Sequence, residues 1–311
     1  MTPRTRSWPP AFPRSTLSRR PGPVADALTL AKPGITGMVL LATAFGYLVG
    51  RHADADWMHL GLVLLGTLLV GAGGNTLNQY LERDVDALMN RTRNRPLPSG
   101  RVQPAVALAG GVALGLGGIA ELAVVANLAS AAFALLVIVS YVMFYTPLKR
   151  ITGLNTLVGA VPGAIPPVLG WVAADRELGQ PALALFLILY VWQLPHFLAI
   201  AWLYRRDYAA AGMPMLPVTD AAGSRTRAMV VLYSLVLVPV TMYPGVIGIA
   251  GPVYFYGALA VSGLFLCAAL LMGLRPSDTT ARILFRASLF FLPLVFALML
   301  YDAVPVPRVR P

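Results

Sequence analysis

Residues 57–101 read WMHLGLVLLGTLLVGAGGNTLNQYLERDVDALMNRTRNRPLPSGR. The stretch 57–82 is apolar nearly to its end and exceeds the roughly 20 residues that cross a hydrocarbon core as a helix. A dense run of amides, acids and arginines follows at once. The same alternation repeats on both sides of this stretch. Apolar spans fall at about 28–50, 57–82, 104–125, 128–146, 151–173, 181–203, 227–249, 252–273 and 283–302. Of the 311 residues, 57% are hydrophobic and 12% charged, and mean hydropathy is +0.70. A soluble domain carries about a quarter charged residues, so composition excludes an ordinary soluble enzyme and any disordered or fibrous class. The expected fold is all-α: nine transmembrane helices in a single domain, 28–302, between a disordered basic arm, 1–27, and a short tail, 303–311.

The formal net charge of +11 follows from topology. Of the 24 lysines and arginines, all but Arg51, Arg176, Arg308 and Arg310 fall on the side of the N-terminus when nine spans are drawn. The positive-inside rule then places the N-terminus in the cytoplasm, and nucleic acid is not needed as a partner. The arm has no apolar h-region and so is no cleaved secretory signal. It is Arg-rich and acid-poor, but its prolines oppose the amphipathic helix of a transit peptide. It reads as a segment lying near anionic membrane lipid, in a bacterial plasma (inner) membrane rather than the mitochondrial inner membrane. The single cysteine, Cys267, lies in an apolar run and reads as a small core residue.

Polar residues at span ends carry the functional information in such a chain. Asn78, Glu82 and Asp86 are spaced i, i+4, i+8, within an arc of about 80° on one helix face. Asn75 shares that arc and Asp84 points elsewhere. Two carboxylates and an amide oxygen on one stripe suit Mg²⁺ completed by substrate phosphate. A solvated helix end neutralised by the next arginines is the simpler alternative. Arg91, Arg93 and Arg95 suit phosphate oxygens or serve only as topology determinants. In YVMFYTPLKR, 141–150, Pro147 ends or kinks the helix, placing Tyr145 and Lys149 at its mouth. Lys149 then reads as a phosphate contact or as an interfacial charge. Span 5 holds Pro162, Pro166 and Pro167, so it is broken or closely packed.

Span 6 runs into VWQLPHFLAIAWLYRRDYAAAGMPMLP, 191–217. His196 reads as the only one of three histidines inside a span: an iron ligand, a proton carrier or an interhelical hydrogen bond. Pro195 is expected to distort the helix just before it. On an unbroken helix, Asp207 lies about 16 Å further on and on the same face.

These residues together resemble the intramembrane prenyltransferases of the UbiA superfamily and, within it, the haem O synthases. The resemblance covers about 28–302. It rests on Asn78-x-x-x-Glu82-x-x-x-Asp86, Arg91-Thr92-x-x-Arg95-Pro96 and Tyr145-x-x-x-Lys149. More specific are Lys32-Pro33, Trp192-Gln193-x-Pro195-His196, Arg206-Asp207-Tyr208 and Met213-Pro214-x-Leu216-Pro217. It implies nine helices around a central cavity open to the cytoplasmic side, and transfer of farnesyl from farnesyl diphosphate to the 2-vinyl group of haem B, with water addition.

The resemblance implies Mg²⁺ on Asn78, Glu82, Asp86 and Asp207. It implies phosphate contacts from Arg91, Arg95, Lys149 and Arg206, with Arg205 a further candidate. Tyr145 and Trp192 would face an allylic cation, and His196 would hold haem B. Haem A synthase or a terminal-oxidase assembly would be partners. Two departures stand out: Glu82 occupies a position that is often Asp in the superfamily, and a second acidic pair is reduced to Leu203 and Asp207. A quinone or chlorophyll-type prenyltransferase and, from another class, a secondary transporter are the competing readings.

Overall fold

The computed structural model describes residues 22–51 and 54–304. Among the described residues, nine helices are long and apolar enough to cross a membrane. The chain is an integral membrane protein, built from α1 Pro23–Ala31, α2 Pro33–Arg51, α3 Trp57–Asp86 and α4 Pro104–Val125. It continues through α5 Leu128–Leu148, α6 Asn155–Ala173 and α7 Gln180–Leu203. The short α8 Arg205–Ala210 and α9 Leu216–Thr219 follow, then α10 Ser224–Val246, α11 Pro252–Leu274 and α12 Asp278–Tyr301.

Local chemistry sets the ends. Pro23, Pro33, Pro104 and Pro252 open their helices at the first position, where a missing N–H costs nothing. Asp56 caps α3 by accepting from the His59 amide at 3.0 Å, and Ser277 caps α12 through a reciprocal box with Thr280. The packing uses small residues. A Cβ on Gly73 of α3 would meet Gly115 N at 2.6 Å and Gly111 O at 2.7 Å of α4, so the two backbones touch as membrane helices do where glycines face each other.

Several expectations change. Span 1 is not one helix: the chain turns at Lys32, whose φ of 50° is left-handed, and Pro33 starts α2 anew. The boundary expected at 27/28 therefore falls inside α1, and residues 1–21 of the expected arm lie outside those described. So do residues 305–311 of the expected tail. Cys267 is exposed, because an apolar residue in a spanning helix is equally at home facing lipid. Helix α5 ends at Leu148, one residue past Pro147, with Lys149 at its mouth as expected; its preceding turns widen to a π-helix over Val139–Tyr145. Proline lacks the N–H for an i→i−4 bond, and π-turns absorb such breaks. Helix α6 breaks at Ile165, before Pro166 and Pro167, in keeping with the break expected of span 5. Helix α7, by contrast, continues through Pro195.

The aliphatic and aromatic core runs between α2, α6, α7, α10, α11 and α12, with Phe45 stacked on Phe296 at 3.7 Å. A cavity of about 380 Å³, lined by Phe133, Leu136, Ile165 and Phe186 among others, is entirely apolar. It holds none of the polar residues singled out above.

Candidate active site

The polar face of α3 is buried, not solvated. Asn78 is 0%, Glu82 5% and Asp86 1% exposed. Each position, one helical turn or about 6 Å from the next, meets its own cation. Lys32 Nζ donates to Asn78 Oδ1 at 2.7 Å. Lys149 Nζ donates to Glu82 Oε1 at 2.8 Å. Arg95 donates to Asp86 Oδ2 at 2.7 Å. Asn78 Nδ2 in turn donates to Thr146 Oγ1 at 3.0 Å. Three basic side chains from three separate segments converge on one stripe.

Each segment is locally anchored. Asn75 and Gln79, flanking Asn78 on α3, donate to the carbonyls of Ala31 and of Thr29 and Leu30. This holds the end of α1 against α3. Thr92 Oγ1 donates to the Asp86 carbonyl at 2.9 Å and bends the loop so that Arg95 turns back. On α5, the π-turns stack Tyr141 on Tyr145 at 5.6 Å, and Lys149 Nζ sits 4.4 Å from the Tyr145 ring centroid, within cation–π range. Gly159 of α6 leaves room for the Tyr145 ring, which occupies the space a Cβ would need.

Burial and the nearby charges of Arg95 and Lys149 pull Lys32 down to about 7. Burial also opposes the charge on Lys149, but Glu82 and the tyrosines outweigh it and hold that ammonium well above the ordinary lysine value. The oxygen donors suit a hard divalent cation: two carboxylates and an amide oxygen on adjacent turns. The two ion pairs use one oxygen of each carboxylate.

The second polar loop reaches the same end of α3. The Arg91 guanidinium lies 4.7 Å from the Tyr204 ring and 5.9 Å from the Tyr208 ring. It donates to Tyr208 Oη at 3.4 Å. Tyr208 packs with Met213 and Met215 on Val85 and Met89, next to Asp86. This brings Asp207 to that end, half-buried on α8. It is not on the face of an unbroken helix with His196, however, because α7 ends at Leu203 and Tyr204 leaves helical geometry. Arg206 is exposed, and Arg205 is tied to Asp278 at 2.8 Å. Asp84, as expected, points away and pairs with Arg150 at 2.7 Å.

Trp192 and His196 of α7 both meet Ser288 of α12. Trp192 Nε1 donates to the Ser288 carbonyl at 3.0 Å. His196 Nδ1 meets Ser288 Oγ at 2.6 Å, and the two rings stack at 5.1 Å. Ser288 Oγ also donates to the Phe285 carbonyl at 2.6 Å, which uses its one proton. Nδ1 of His196 is therefore the donor, and Nε2 keeps its lone pair. His196 is not the only histidine in a span: His59 lies in the first turn of α3, between Tyr47 Oη and the Val125 carbonyl.

The sequence reading missed Thr146, Ser288 and the site role of Lys32. Only Lys32 left a signal, in the Lys-Pro pair that breaks the first span.

The family model for "UbiA prenyltransferase family" matches residues 39–295. The chain belongs to the UbiA prenyltransferase family. It is 41% identical over 286 residues to the protoheme IX farnesyltransferase of Solibacter usitatus, covering 89% of this chain and 98% of that protein. To the enzyme of the same name from Myxococcus xanthus it is 41% identical over 287 residues, 92% and 97% of the two chains. Several solved structures share its fold. A digeranylgeranylglyceryl phosphate synthase aligns with a TM-score of 0.76 at 18% identity, over 90% of this chain and 98% of that one. A UbiA homolog from Archaeoglobus fulgidus, bound to DMAPP and Mg²⁺, aligns with a TM-score of 0.63 at 19% identity, over 88% and 99%. A UbiA prenyltransferase is an enzyme, so the transporter reading falls away.

Proposed function

We propose that this UbiA prenyltransferase is a haem O synthase. It transfers farnesyl from farnesyl diphosphate to the 2-vinyl group of haem B, adds water, and releases diphosphate. The C1–O bond of the donor breaks and C1 bonds to one vinyl carbon. A water oxygen bonds to the other and sheds a proton. The observation that carries the reading is the buried stripe of Asn78, Glu82 and Asp86, each position met by a cation. It is supported by relatives of that one name at about 40% identity over nearly their full length.

Asn78, Glu82 and Asp86, with Asp207, are the residues that would hold Mg²⁺. When bound, the metal stabilises the negative charge that grows on the leaving diphosphate. Arg95 and Lys149 already stand over these acids and are placed to pass to phosphate oxygens when a substrate arrives. Arg91 lies at the outer edge of the same region, and Arg206, exposed on α8, is a further candidate for phosphate. Tyr145 presents its ring beneath Lys149, where a π-face also suits an allylic cation. Trp192 stacks on His196, so its contribution is to fix the imidazole plane. His196 Nε2 is the atom offered to haem B. The cation would have to be kept from water until the vinyl carbon attacks.

By the positive-inside rule the N-terminus and the polar cluster would face the cytoplasm, and a bacterial plasma membrane is the membrane proposed. Haem A synthase or a terminal-oxidase assembly would take the product. Expression in a host lacking haem O, followed by chromatography of extracted haems, tests the reading. A farnesylated haem is expected, and a prenylated quinone in its place would overturn it.

A further inference from the structure

Lys32 is the one member of the cation ladder that the proposed chemistry leaves without a task. Its backbone is left-handed, with φ 50° and ψ 69°, a conformation that side-chain-bearing residues rarely adopt and that proline after it does not favour. Such strain persists only where surrounding structure imposes it. Here Thr36 Oγ1 and Asn75 Nδ2 both donate to the Ala31 carbonyl, and Gln79 donates to the carbonyls of Thr29 and Leu30. The break is clamped at the one place where the Lys32 side chain reaches Asn78. Lys149 and Arg95 each face a carboxylate, whereas Lys32 faces only a neutral amide. Among the described residues it forms no ion pair. The cluster therefore sets three basic side chains against two carboxylates, and the one without a carboxylate partner is the deepest, two turns in from Asp86.

We propose that Lys32 is a substrate-binding residue whose ammonium exchanges Asn78 for an anionic oxygen of a bound substrate, either a diphosphate oxygen or a carboxylate of the porphyrin. The proposal rests on the prenyl-transfer reading of this site and adds a contact to it. An amide holds a lysine loosely enough for exchange, and a charge-assisted hydrogen bond to an anion is the stronger of the two.

The test uses the full-length protein in lipid nanodiscs, with Lys32→Gly and Lys32→Arg beside the wild type. Glycine accepts positive φ without strain, so Lys32→Gly removes the ammonium while easing the backbone, and its melting temperature should not fall. Equilibrium titrations use inorganic diphosphate and farnesyl diphosphate, each with Mg²⁺, then haem B and its dimethyl ester. Lys32→Gly should weaken one substrate by about ten- to a hundredfold, and Lys32→Arg should recover most of that loss.

If the anion is diphosphate, both diphosphates weaken together and both haems bind as before. If it is a porphyrin carboxylate, haem B weakens while the dimethyl ester binds wild type and variant alike. Affinities all within about twofold of wild type would overturn the proposal. So would a loss across all ligands that accompanies a lower melting temperature, or one that arginine does not recover. The titrations need no turnover. A wild type that binds these ligands yet makes no haem O would sink the proposed reaction and leave the Lys32 assignment standing.

Discussion

Lys149 Nζ lies 2.8 Å from Glu82 Oε1, so the end of α5 is tied to the middle of the polar face of α3. Glu82 keeps 6% and Lys149 15% of its side-chain surface, which makes this a largely desolvated pair. Removing one partner of such a pair leaves the other charge stranded, at a cost of about 3 kcal/mol or more. Lys149→Met should lower the melting temperature and abolish turnover. The double variant Glu82→Gln with Lys149→Met should regain much of the stability and none of the activity. Melting curves in detergent, set beside product formation, separate the two effects.

Asp86 and Asp84 differ by direction alone. Asp86 is buried and faces Arg95. Asp84 is at the surface on Arg150, with 63% of its side chain exposed, where ion pairs contribute little. Asp86→Ala should reduce haem O formation by at least about a hundredfold while the protein still inserts, because the leaving-group charge loses its metal ligand. Asp84→Ala should stay within about threefold of wild type. Similar activity in both variants would end the metal-stripe assignment.

His196 has the interhelical partner that a buried imidazole requires, in Ser288. That contact uses Nδ1 and leaves Nε2. His196→Ala should insert normally, lose haem B affinity by about tenfold or more and bind farnesyl diphosphate unchanged. Ser288→Ala should weaken haem binding by a smaller factor, since it frees the ring without removing it. If Nε2 ligates iron, the Soret band of bound haem shifts in His196→Ala. Haem titration indistinguishable from wild type in His196→Ala would return the residue to a purely structural role.

Much of this was legible from single segments. The nine spans needed only hydropathy, and the Asn78–Glu82–Asp86 stripe needed only the helical repeat. What one segment cannot show is which distant residue meets it. Lys32 reaches Asn78 across 46 positions, Thr146 across 68 and Ser288 reaches His196 across 92, and no periodicity records those distances. The face of Cys267 was illegible for a different reason. Lipid and protein interior are equally apolar, so alternation between buried and exposed positions leaves no polar mark in a spanning helix. The placement of Asp207 failed at Tyr204, whose departure from helical geometry has no glycine or proline to announce it.

The central claim is that the buried α3 stripe drives farnesyl transfer to haem B. The most direct measurement incubates the purified protein in nanodiscs with haem B, isotopically labelled farnesyl diphosphate and Mg²⁺, then separates the haems and weighs the labelled product. The account predicts one labelled haem carrying one farnesyl and one hydroxyl group. It should be abolished by EDTA, restored by added Mg²⁺ and absent with Asp86→Ala. Labelled haem formed at an undiminished rate by Asp86→Ala, or no labelled haem from a wild type that binds both substrates, would contradict it.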